Sequence, residues 1–140
     1  MADISITAAN VLGSTTAVRL SQYKSAVAIT AGQAVYLNSS NAWALLDLNA
    51  ASTGNGITDV RGIAESSAPG VGQPVTVVIE DTDFTFGGTS TNGATVYGSN
   101  TAGGITIADI PGAGAYPVVL GILKSTTKMV LKPIASGAII

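Results

Sequence analysis

The feature that most constrains this chain is an internal repeat. Gly32-Gln33-Ala34-Val35-Tyr36-Leu37-Asn38 is echoed 61 residues later by Gly93-Ala94-Thr95-Val96-Tyr97-Gly98-Ser99. A short polar turn follows each, then an apolar strand ending in Asp, Ala44-Leu45-Leu46-Asp47 or Thr106-Ile107-Ala108-Asp109. Val60-Arg61-Gly62-Ile63-Ala64-Glu65-Ser66 is echoed 59 residues later by Val119-Leu120-Gly121-Ile122-Leu123-Lys124-Ser125. Each leads into a last strand, Val75-Thr76-Val77-Val78-Ile79 or Met129-Val130-Leu131-Lys132-Pro133-Ile134. Two units, about 30–80 and 92–134, thus share one plan. A unit of roughly 45 residues is too small to bury its own core. Two such units must pack face to face or close into one barrel, which also removes exposed strand edges.

The units read as β. Thr, Val and Ile, whose branched Cβ suits a pleated surface, make up 42 of the 140 residues. The pattern predicts strands near 26–30, 33–37, 42–48, 60–66, 74–80, 94–97, 104–108, 117–124 and 127–133. Turn signals separate them, among them Asn38-Ser39-Ser40-Asn41, Pro69-Gly70-Val71-Gly72 and Asn92-Gly93. No segment sustains a 3.6-residue apolar period. The fold class expected is all-β: a small barrel or sandwich built from two similar units over 26–140. Residues 1–25 fall outside both units and are expected to form an extended N-terminal arm.

Composition narrows function. The chain has neither His nor Cys, which removes His-based triads, thiol nucleophiles, thiolate metal sites and disulfides. Its net charge of −2 gives no basic stripe for a phosphate backbone, so no nucleic acid is expected as a partner. Met1-Ala2-Asp3-Ile4-Ser5 lacks the charged and apolar regions of a secretory leader, and no run of about 18 apolar residues predicts a membrane span. Only 10% of residues are charged while mean hydropathy is +0.46. Charge repulsion then does little to keep copies apart, and the plain reading is a surface largely covered by other protein.

Three short motifs invite chemistry and none completes it. Glu80-Asp81-Thr82-Asp83 is the tightest acidic cluster, but it lacks the further oxygen ligands, mid-loop Gly and terminal Glu of an EF-hand. It reads as a solvated strand end or turn. Ser125-Thr126-Thr127-Lys128 matches S-x-x-K, whose S-D-N and K-T-G companions are missing, and reads as a turn. Gly70-Val71-Gly72 and Gly112-Ala113-Gly114 continue into neither a dinucleotide fingerprint nor a phosphate loop. No catalytic residue, cofactor or metal ligand is expected, and the chain reads as a non-enzyme.

The run Ile29-Thr30-Ala31-Gly32-Gln33-Ala34-Val35-Tyr36-Leu37, then Arg61-Gly62-Ile63-Ala64, then Gly72-Gln73-Pro74-Val75-Thr76-Val77-Val78, resembles the capsid decoration proteins of tailed phages, also called cement or head-stabilising proteins. In that family a G-x-x-V-Y strand, a G-I-A strand and a G-x-x-V-x-V strand recur in small Gly/Ala-rich β domains. The resemblance spans about 30–134 and is looser in the second unit, where Leu123-Lys124 replaces Ala64-Glu65. It implies a structural virion protein on the capsid exterior, made in the host cytoplasm. Its implied partner is the major capsid protein, with a homo-oligomer, trimer or dimer, on the lattice. The rival reading is a phage tail or fibre module, or a carbohydrate-binding β module.

Candidate contacts with capsid or with other copies follow from that reading. Ile4 and Ile6 are apolar anchors of the arm, and Ile139 and Ile140 end an uncharged apolar tail. Lys128 and Lys132 share parity on the last strand, so they face one way, either as a solvated face or as a patch meeting an acidic capsid surface. Packing between sheets is the plain reading of Trp43, the only tryptophan. Anchoring a partner is the sharper one.

Overall fold

The computed structural model describes residues 3–47, 60–107 and 118–135. After a short 3-10 turn at Ala8–Asn10, eleven strands follow in chain order. They are β1 (Val11–Leu12), β2 (Val18–Leu20), β3 (Lys24–Ser25), β4 (Ala34–Leu37), β5 (Ala42–Leu45) and β6 (Arg61–Ala64). Then come β7 (Val77–Phe86), β8 (Thr95–Gly98), β9 (Ile105–Thr106), β10 (Val118–Leu123) and β11 (Lys128–Ala135). The chain is all-β, and its mixed sheet runs β3-β5-β4-β6-β7-β11-β10-β8-β9 without closing on itself. Of the two architectures expected, the sandwich is the one formed.

The repeat is written into the pairing. In the first unit β4 lies between β5 and β6, and β6 pairs with β7; in the second, β8 lies between β9 and β10, and β10 pairs with β11. Val35 sits opposite Gly62, and Val96 opposite Gly121. The two units meet where their last strands, β7 and β11, pair antiparallel with Met129 against Phe84. The entry turns repeat as well. Gln33 N–H donates to Thr30 O at 3.1 Å and Ala94 N–H to Thr91 O at 3.2 Å. The third residue of each turn is a glycine at positive φ, Gly32 at 96° and Gly93 at 84°, a backbone state that a side chain disfavours.

One core is shared by both units. Tyr36, Ile63 and Val78 of the first pack with Val96, Leu120, Leu123, Met129 and Leu131 of the second, around Phe84 and Phe86. A second cluster, with Val35, Trp43, Ala64 and Val77, fills the outer face of the first unit's strands, covered by Ile29, Ala68 and Val75. Each large aliphatic side chain so buried contributes about 1.5–3 kcal/mol.

Two local expectations are corrected. The strand expected at 74–80 begins at Val77 and continues to Phe86, carrying Glu80-Asp81-Thr82-Asp83 through its middle instead of turning there. Register shifts against β2 and β11 mark bulges that let one strand serve both units. Residues 26–30 form only an isolated bridge, Ile29 to Ala68. The described part of the N-terminal segment lies along its own domain. β1 and β2 pair with β7, β3 runs parallel to β5, and Ile4 N–H donates to Ile105 O at 2.8 Å.

Pro133, which has no N–H for a ladder, is accommodated by a further bulge. Val119 faces Ile134 but Gly121 faces Leu131, leaving Lys132 and Pro133 as the irregular step.

Candidate functional site

Two carboxylates fasten the N-terminal segment. Asp81 is 2% exposed, and it accepts from Ser14 N at 2.7 Å, from Ser14 Oγ and from Asp83 N at 3.1 Å. A carboxylate taking several N–H and O–H donors is stable in a buried strand where a bare one is not. Glu65 forms a two-point pair with Arg19, Nε to Oε1 at 2.8 Å and the second nitrogen to Oε2 at 2.9 Å, and also accepts from Gly13 N at 2.6 Å. The Arg19 hydrogen bond, then the Gly13 N–H, hold the Glu65 carboxyl below its ordinary value, with partial burial opposing them. The Arg19 guanidinium is raised in turn by its hydrogen bond to Glu65. The acidic cluster therefore holds its own chain, and Glu65, not singled out by sequence, belongs to that clasp.

A second charged group is open to solvent. Lys124 and Lys128 each place Nζ 3.2 Å from Asp83, which they hold below the usual carboxylate range through those hydrogen bonds. The turn at 125–127 is braced by Ser125 Oγ, which accepts from Lys128 N at 3.1 Å. That contact turns the Ser125 hydroxyl to a structural task.

The candidate contacts divide. Ile4 and Ile6 are half-buried against the shared core. Trp43 is fully buried, edge to face with Tyr23 at 6.3 Å and 79°, and its indole N–H finds no acceptor among the described residues. It packs the second cluster and offers no surface to a partner. Lys128 and Lys132 do share a side of β11 with Val130 and Ile134, while Met129 and Leu131 point into the core. Ile139 and Ile140 lie outside the described residues, as does Gly112-Ala113-Gly114.

Sequence reasoning did not find the apolar outer face of β10 and β11. Ile122 is 53% exposed, Val130 36% and Ile134 57%. Ile122 stands directly opposite Val130, and Ile134 opposite Val119. The parity of Lys128 and Lys132 was the available signal, since it fixes Val130 on the same side.

Two grooves flank the N-terminal segment. The larger, about 760 Å³ and open, is lined by the hydroxyls of Ser5, Thr7, Thr85, Thr89 and Thr127 beside Leu12. The smaller lies between Ile4, Ile6 and the 101–105 turn. Neither is lined by a pair of carboxylates, as general acid and base work would use. Among the described residues no three His, Cys, Asp or Glu side chains gather to hold a metal ion, and no helix is long and apolar enough to cross a membrane. The chain matches no family model, no curated protein and no solved structure.

Proposed function

We propose that this chain is a capsid decoration protein of a tailed phage, a structural protein that binds the outside of the assembled shell and bridges neighbouring major capsid protein subunits. One observation carries the reading: the three motifs behind the resemblance fold as three adjacent strands. The G-x-x-V-Y run is β4, the G-I-A run is β6, and the G-x-x-V-x-V run enters β7, in that spatial order. The looser second copy builds β8, β10 and β11 in the matching order. In this reading the protein catalyses no reaction and takes no cofactor.

The mechanism is linkage. A protein that binds the assembled lattice better than free subunits stabilises the lattice by that difference, and many repeated sites add avidity. The test is co-sedimentation with empty heads assembled from the major capsid protein of the phage that carries this chain. Saturable binding to heads, with none to free subunits and a rupture temperature that rises with free concentration, is the expected result. Absence of binding to such heads removes the reading, and glycan or tail binding would then be examined.

A further inference from the structure

We infer that the outer face of β10 and β11, centred on Ile122, Val130 and Ile134 with Lys132, docks on an apolar, carboxylate-rimmed patch of the capsid shell. The inference rests on the function proposed above and names the surface that performs it. The internal repeat makes this face stand out. Ile122 and Val130 are a directly opposed pair in the second unit, as Ile63 and Val78 are in the first. Ile63 and Val78 are 0% exposed and sit in the shared core. Their counterparts keep the same residue types with nothing described over them. Three aliphatic side chains at 36–57% exposure lie on one adjacent strand pair, Ile122 directly opposite Val130 and Ile134 opposite Val119, where scattered single residues would need no explanation.

Charge decides between a second copy and an acidic partner. The chain as a whole is net −2, yet this face carries three cations, Lys124, Lys128 and Lys132, against two nearby carboxylates, Asp83 and the exposed Glu80 one position past the Leu131–Asp81 pair. Asp83 engages the first two, and Lys132 has no ion partner among the described residues. Two copies placed face to face would oppose like charges, which disfavours pairing. A partner bearing carboxylates around an apolar centre satisfies Lys132 and covers the three aliphatic residues together. Size points the same way. Three half-exposed side chains supply only part of the roughly 800 Å² per partner of a stable isolated interface. A weak contact of this kind becomes effective when a lattice presents it many times.

The experiment compares binding isotherms on the same heads for wild type, Ile122→Thr/Ile134→Thr, Lys132→Glu and Val71→Thr. Threonine keeps the β-branched shape, so the strands should survive, and melting temperatures check this. Val71, 73% exposed in a distant turn, controls for general loss of surface hydrophobicity. The double variant should bind at least about thirtyfold more weakly, as expected for hot-spot residues, and Lys132→Glu about tenfold more weakly. Val71→Thr should bind as wild type. Hydroxyl-radical footprinting of wild type should show Ile122 and Ile134 protected on heads, a readout that needs no variant. Equal binding by the double variant, or unprotected Ile122 and Ile134 on decorated heads, overturns the face and leaves the function standing. A wild type that binds no head overturns both.

Discussion

Gly62 and Gly121 stand at the same point of the two repeat units, each too close to the next strand to carry a side chain. A Cβ on Gly62 would fall 2.3 Å from the carbonyl oxygen of Val78, and one on Gly121 would fall 1.9 Å from that of Val130. The obstacle is backbone in both places, so no rotamer change relieves it. Alanine at either position should therefore cost about 3 kcal/mol, the upper end of overpacking penalties, and valine more. Urea melts of the two alanine variants check this. A loss within error at either glycine would show that the strands can part without penalty.

The Glu65–Arg19 pair gives stability a pH dependence of definite sign. The Glu65 carboxyl is held below its ordinary value, mainly by the Arg19 hydrogen bond and further by Gly13 N–H, while burial and the Asp81 charge act against this. A group depressed in the folded state contributes stability in full above its unfolded value of about 4.3 and loses it as pH falls through the folded value. Wild type should thus lose stability on acidification below about pH 5 more steeply than Glu65→Gln. Parallel stability curves for the two proteins would remove Glu65 from the account.

Asp81 should matter through the hydrogen bonds it accepts. Replacing it with Ala removes the acceptor that Ser14 N–H, Ser14 Oγ and Asp83 N–H now share, and leaves Ser14 Oγ only its contacts with Thr16. Loss of hydrogen bonds to a charged acceptor costs about 1.5–3 kcal/mol apiece before any water replaces it. The 13–20 segment should then open locally, because β2 adds only three residues to β7. Limited trypsin digestion after Arg19 reads this directly. Cleavage should be faster in Asp81→Ala than in wild type, and equal rates would place the segment's anchorage elsewhere.

How much of this could be read from sequence depended on the distance over which each feature is decided. β4, β5 and β6 were legible because a short apolar run bounded by turn residues is decided within a few positions. The second half of β7 was not. Four consecutive polar or acidic residues read as a solvated strand end or turn, and what buries Asp81 within a strand is Ser14, 67 positions away. β1 to β3 span two or three residues each, too short to show a period. The sequence also holds V-x-G-I twice, and nothing local says that Ile63 is enclosed while Ile122 faces out. Trp43 illustrates the same limit, since a lone tryptophan beside a turn suits a core and an interface equally.

That last tryptophan is simple to test. Trp43 is the only one in the chain and is 0% exposed, so its emission reports one buried site. It should be blue-shifted, resist acrylamide quenching and move to the red on unfolding. Trp43→Ala should cost about 3–5 kcal/mol as a large-to-small core change. Ready quenching in the native state would place the ring at the surface and reopen its role as a partner anchor.

The repeat supplies its own control for the outer face. Ile63 and Ile122 follow the equivalent glycines, and each stands opposite a valine, Val78 or Val130. Ile63 is 0% exposed and Ile122 is 53% exposed. Truncating Ile63 to Ala removes buried methyl groups and leaves a cavity, so it should cost about 2–5 kcal/mol. Truncating Ile122 gives up little burial and should stay within about 0.5 kcal/mol, as surface changes do. The pair of measurements isolates environment from residue type, because the substitution is identical. Should Ile122→Ala destabilise the lone protein as much as Ile63→Ala, the β10–β11 face would be covered within one chain, and the docking surface inferred for it would be gone.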